Sequence, residues 1–196
     1  MPKTLAAALL ALGLAGPLSP PTCGPPAGDP APPAGPAVSA TPTVTIRGAN
    51  AVDRAALADA LARFASAGLL LPDLEVLFGH DTSRCDGHMG EFEKHRTPWR
   101  ISVCSELEFV IPHEIAHAWA AANLDDAERS RYTAARGFTN WSDHTRPWAE
   151  RACEDAAFIM QQNLRDVGRV PPTSATWIER MEAYELLTGL RSPLRP

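Results

Sequence analysis

Five consecutive residues, His113-Glu114-Ile115-Ala116-His117, carry the densest chemistry in this chain. Histidines four residues apart share one face of an α-helix, so both imidazoles can reach one metal ion. The glutamate beside the first histidine is placed to take a proton from a water held at that ion. Ile115 and Ala116 between the polar residues, and Ala118-Trp119 after them, put this chemistry in an apolar helix. Two histidines do not complete a catalytic metal site, which usually has three protein ligands and one open position. No histidine follows His117 at the spacing of the three-histidine class, so a carboxylate from a later helix is the expected third ligand.

Glu150 and Glu154 are the candidates. Glu154 stands among Ala152, Cys153, Ala156, Ala157 and Phe158, where a carboxylate needs a compensating partner, and a metal ion is one. Glu150, three residues after Pro147, suits the first turn of a helix for dipole reasons alone. It is the alternative ligand, or an acceptor that orients a ligand histidine. Asp155 is expected on the solvated side of the same helix. His144 and Tyr132 are candidate donors to a developing oxyanion, whereas His80, His88 and His95 read as surface histidines. Cys153, beside Glu154, could instead close the site as a fourth ligand and make it structural.

The elements that must position these residues follow from periodicity. Thr43 to Arg47, Leu74 to Phe78 and Trp99 to Val103 alternate and are rich in β-branched or aromatic residues, which predicts strands. His88 to Glu93 is a further candidate strand, with Gly87 and Gly90 near its ends. Leu57, Leu61 and Phe64 mark one face of a helix over 52–67, stopped by Gly68. Ser105-Glu106-Leu107-Glu108 has the form of a capping box before the histidine helix, although Pro112 fits better at that helix's first position. The helix should run to about Asn123, the next from Asp125-Asp126 through Ala135, another from Pro147 through Leu164, and a last from Ser174 to about Leu187. Phe138 to Pro147, with Trp141, Asp143 and His144, is an irregular segment suited to a cleft wall. A small mixed sheet followed by helices is the α+β class.

The N-terminus reads differently. Lys3, the apolar run Leu5 to Leu14 and the small residues Ala15-Gly16 have the form of a secretory signal peptide over 1–22. Cys23-Gly24 is the alternative start of a lipid-anchored chain. Pro17 to Pro42 holds ten of the 19 prolines, too little apolar surface to fold, and residues 23–42 read as a linker. The folded domain is expected over 43–196. Export favours disulfides; Cys85–Cys104 is the expected bridge, leaving Cys153 unpaired or joined to Cys23. With 18 basic against 23 acidic residues the chain is mildly acidic, which argues against nucleic acid as a partner. No segment after the N-terminus has the length and apolarity of a membrane span.

With these residues in place, the chain resembles the zincin metallopeptidases, and among them the gluzincin arrangement of two motif histidines and a downstream glutamate. It is similar to small secreted bacterial zincin-like proteins of unassigned substrate. The likeness runs from about Cys85 to Leu164. It rests on the strand and cysteine Arg100-Ile101-Ser102-Val103-Cys104, on His113 to Trp119, and on Glu154-Asp155-Ala156-Ala157. Pro112, where a leucine would stand, and Met160 to Leu164, which lack an aromatic-glycine ending, depart from it. The resemblance implies a zincin-like fold, Zn²⁺ on His113, His117 and Glu154, and Glu114 as general base. The expected activity is hydrolysis of a peptide, protein or peptidoglycan-type amide, secreted or in the cell envelope. A non-catalytic exported zinc-binding or interaction module is the alternative.

Overall fold

A computed structural model describes residues 37–39, 41–143, 145–166 and 175–195. The candidate signal peptide, Cys23 and most of the Pro-rich segment lie outside the described residues. Among the described residues six short strands are formed: β1 (Val38–Ser39), β2 (Val44–Arg47), β3 (Leu71–Pro72), β4 (Leu74–Phe78), β5 (Gly90–Glu93) and β6 (Trp99–Val103). Five helices accompany them: α1 (Ala51–Ser66), α2 (Val110–Asn123), α3 (Asp126–Ala135), α4 (Ala152–Arg165) and α5 (Ala175–Thr188). The architecture is α+β.

The main sheet has the order β2-β4-β6-β5. The β2–β4 and β4–β6 pairs are parallel and β5 returns antiparallel along the edge of β6. Parallel neighbours need a crossover, and α1 supplies the one from β2 to β4. Asn50 starts α1 by accepting from the Val52 and Asp53 amides, while Asp53 accepts from the Asn50 amide, a reciprocal cap. Gly68, at φ +74°, reverses the chain after it, a conformation that favours glycine. Val38–Ser39, inside the stretch whose composition reads as linker, pairs antiparallel with Leu71–Pro72 in a separate two-stranded sheet.

One face of the main sheet packs on helices. Leu74, Val76, Phe78, Phe92, Ile101 and Val103 join Leu57 and Phe64 of α1 and Ile115 of α2 in one buried cluster. The other face is a ladder of charges: Glu75 binds Arg47 at 2.7 Å and Arg100 at 2.7 Å, and Arg100 approaches Glu93 at 3.9 Å. The ladder gives this side of the sheet paired charges in place of an apolar layer, where a largely parallel sheet is usually apolar on both sides.

Helix α2 is the central element. It packs on α1, α4, β3, β5 and β6, and from Val110 to Ala120 only Pro112 is not buried. The expected capping box does not form. Phe109 is the N-cap and makes no side-chain cap bond, and the Ser105 hydroxyl accepts from the Leu107 amide within a tight turn instead. Pro112 is the third helical residue rather than the first. The amides of the first turn have no intrahelical partner, so its missing N–H costs nothing there. At the other end Arg129 of α3 donates to the Ala121 carbonyl at 3.2 Å, a cation on the negative end of α2.

The helix expected from Pro147 through Leu164 is interrupted. Trp148–Glu150 forms a single 3-10 turn, Arg151 is extended, and α4 begins only at Ala152. The buried Arg151 guanidinium donates to the Arg146 carbonyl at 2.7 Å and anchors the preceding turn. The Cys153 amide donates to the Trp141 carbonyl at 2.9 Å, using one of the free donors at the helix start.

The Cys85–Cys104 disulfide joins the short 3-10 turn Thr82–Cys85 to the residue that follows β6. It closes a loop of 19 residues that contains all of β5. Loop closure on that scale stabilises by about 3 kcal/mol. The Cys85→Ser, Cys104→Ser double variant should unfold at correspondingly lower denaturant concentration, and an unchanged urea midpoint would refute this role.

Candidate functional site

Helix α2 places His113 and His117 one turn apart, facing the start of α4. Their Nε2 atoms lie 3.2 Å from each other. Glu154 Oε2 is 3.1 Å from His113 Nε2 and 3.2 Å from His117 Nε2. The structure therefore brings His113, His117 and Glu154 together as a buried group able to hold a metal ion, with all ligand atoms within 4.8 Å of one another. Among the described residues it is the one such group. The two imidazole rings stand nearly perpendicular, at 87°, so both nitrogens point to a common region rather than stacking.

The break at Arg151 explains why Glu154 takes this position. With α4 beginning at Ala152, Glu154 is in the first turn, where the positive end of the helix favours a carboxylate. Burial favours its neutral form, but His117 and His113 outweigh burial and hold its pKa at about 2. Glu154 is thus an anion facing two imidazoles in a nearly dry interior, which is the chemistry of a cation site.

Glu114 lies beside this group with 2 % of its surface exposed, and its Oε2 makes no hydrogen bond. Burial pushes its carboxyl up to about 8; Glu154 and Glu91 add to the rise and His113 opposes it. A cation at the histidine–glutamate group would favour the ionised form of Glu114, reversing much of that rise. A buried carboxylate oxygen without a partner, next to three convergent ligand atoms, suits a site that receives a metal ion and a small polar molecule.

The wall of the site comes from the 3-10 turn. The Trp148 ring lies 5.8 Å from the His113 ring, tilted by 30°, and Trp148 remains 41 % exposed. Glu150 points away, pairing with Arg146 at 3.2 Å with its side chain 53 % exposed. It neither joins the ligand group nor accepts from a ligand histidine, because the break at Arg151 takes it out of the helix that carries Glu154.

Other expectations are corrected. Asp155 is not solvated: it accepts from the Tyr132 hydroxyl at 2.7 Å and from Arg136 at 2.8 and 3.0 Å. Tyr132 is thereby committed as a donor, fully buried with its ring against Trp141, and does not serve as an oxyanion donor. His144 lies outside the described residues. His95 is a surface histidine beside Glu93, and His80 binds Asp53 at 2.9 Å. His88 is half-buried: burial lowers its pKa, Asp86 opposes, and Arg151 and Glu154 are near enough to contribute. Cys153 is disulfide-bonded, so its sulfur is no thiolate and cannot close the site as a fourth ligand.

Sequence reasoning did not single out Trp148 as a neighbour of His113, nor Gly90 as a neighbour of Glu114. Contact across elements leaves no periodic signal, although an isolated glycine inside a strand pattern is a known mark of close approach.

No protein-family model matches this chain, and no curated protein or solved structure matches it.

Two outcomes follow from the geometry. Tyr132→Phe should lower stability by about 1 kcal/mol in urea unfolding, with metal content unchanged; loss of metal would place the hydroxyl at the site. In chelated protein, Glu114 is neutral when folded up to about 8 but ionises near 4.5 when unfolded. The folded state then holds the extra proton, so stability falls as pH rises across that window. Glu114→Gln should flatten this decline in thermal unfolding against pH, and an unaltered slope would contradict it.

Proposed function

We propose that this protein is an exported zinc-dependent hydrolase of peptide or amide bonds, with a zincin-like active site. The observation that carries the reading is the convergence of three ligand atoms at 3.1–3.2 Å beside a buried glutamate whose Oε2 is unpartnered. Metal–ligand bonds of about 2.0–2.1 Å at tetrahedral angles separate ligand atoms by about 3.3 Å. Two imidazoles and one carboxylate suit zinc, and three protein ligands leave a fourth position open.

In this reading His113 and His117 from α2 and Glu154 from α4 hold the metal. Bound zinc supplies Lewis acidity, which acidifies water and polarises a carbonyl. Glu114 takes the proton of the attacking water on its carboxylate and delivers it to the leaving amine as the C–N bond breaks. Burial keeps bulk water from competing for that proton. The Trp148 ring beside His113 forms one wall against which a substrate packs. The substrate is a peptide, a protein or a peptidoglycan-type amide.

A disulfide-bonded chain with a signal-like N-terminus favours a secreted or cell-envelope location. Among the described residues no helix is long and apolar enough to cross a membrane. The rival reading, a non-catalytic zinc-binding module, gives no role to a buried glutamate in the Glu114 position, and Cys153 offers it no closing thiolate.

Elemental analysis of the purified protein should find about one zinc per chain, lost in Glu154→Ala. Glu114→Gln should retain the zinc and lower turnover of a peptide mixture by about 10²–10⁴-fold. Full hydrolysis by Glu114→Gln would sink the general-base assignment, and a zinc-free wild type under metal-replete conditions would sink the metal site.

A further inference from the structure

Strand β5 meets helix α2 at Gly90, and the closeness of that contact supports an inference that builds on Glu114 as general base. A β-carbon on Gly90 would lie 2.6 Å from Glu114 Oε1, 2.7 Å from Val110 Cγ1 and 2.8 Å from Glu114 Cγ. Carbon atoms in contact ordinarily rest about 3.5–4.0 Å apart. Two of the three colliding atoms belong to Glu114, one turn after Val110 on the same face of α2.

The collision has no easy relief. Val110 is β-branched, stiff at χ1 and buried, so its methyl group cannot swing aside. Gly90 is paired with Val103 of β6, and the neighbouring Met89 carbonyl accepts from the Cys104 amide at 2.8 Å. The disulfide at Cys104 anchors the same corner. Helix α2 cannot retreat, because α4 packs on it as well. The movable part is the Glu114 side chain. Gly90 is not among the glycines with positive φ. Its backbone suits any residue, and the feature in use is the missing side chain.

We propose that Gly90 is a positioning residue: the space left by its missing side chain is where the Glu114 carboxylate lies. A methyl group there displaces the general base. None of the three nearest atoms belongs to His113, His117 or Glu154, so the metal ligands are spared. The strand edge thereby sets the reach of the base toward the ligand group, while α2 and α4 set the ligand group itself.

The test uses the full chain as Gly90→Ala, Glu114→Ala and the double variant. Gly90→Ala should lower Tm by about 5 °C, as overpacking does in a protein of this size. In the Glu114→Ala background the same change should cost measurably less, because two of the three colliding atoms are gone and only the Val110 contact remains. Equal losses in the two backgrounds would overturn the inference, and this comparison holds whether or not the protein is a hydrolase. Zinc alone, titrated into Gly90→Ala, should bind within about twofold of wild type, whereas loss of zinc affinity would make Gly90 a general packing residue. On a peptide that the wild type cleaves from a randomised mixture, kcat should fall about 10²-fold with KM little changed. A wild type without zinc or hydrolysis would refute the proposed function, and the unfolding comparison would still decide the role of Gly90.

Discussion

The close packing of α2 against α4 is the constraint on which the candidate site depends. One oxygen of Glu154 must stand between two imidazoles, and side chains of that length leave little slack between the helix axes. Short residues are buried in both helices: Ala116 of α2 and Ala156 and Ala157 of α4 belong to the core cluster. Polar geometry at the site is therefore set by apolar packing around it, as expected of interiors packed to crystal-like density.

That packing also puts charge where it is costly. Glu154 is 1 % exposed, burial favours its neutral form, and the facing histidines help to hold it ionised. Glu114 is buried without any partner for Oε2. A core optimised for stability alone would hold neither group, since unsatisfied or unpaired buried groups cost more than well-packed apolar ones return. Local rules are broken most often where a function requires it, and here the two departures lie close together, Glu114 on α2 and Glu154 on the facing α4. The sheet supplies the rigid counterpart: its charged face is stitched by Arg47, Glu75, Arg100 and Glu93, and its outer strand lies in the loop closed by the Cys85–Cys104 bridge.

The interruption at Arg151 shows how a backbone detail allots roles to similar side chains. Glu150 and Glu154 are four residues apart and would share a face in a continuous helix. One extended residue separates them, sending Glu150 out to Arg146 and Glu154 in to the histidines. The same detail swings Trp148 against His113 and leaves Asp155 to hold Tyr132 and Arg136.

Much of the fold is legible in the sequence. The strands Leu74–Phe78 and Trp99–Val103, the span of α1 and the end of α2 follow from alternation, helical periodicity and glycine stops, because those signals are local. The pairing of His113 with His117 is likewise local, since one helical turn fixes it. What the sequence could not express is contact between segments far apart in the chain. That Glu154 meets both histidines, that Asp155 is occupied by Tyr132 and Arg136, that Trp148 covers His113 and that Gly90 makes room for Glu114 all depend on how α2, α3, α4 and β5 dock together. The expected cap at Ser105 failed for a related reason. Burial of α2 along most of its length supplies its stability, so the helix starts where packing on β5 and α4 places it rather than where the best capping residue stands. Residue types and their spacing thus determined which chemistry was on offer, and tertiary packing alone decided which side chains meet, because those distances are set by the docking of whole elements.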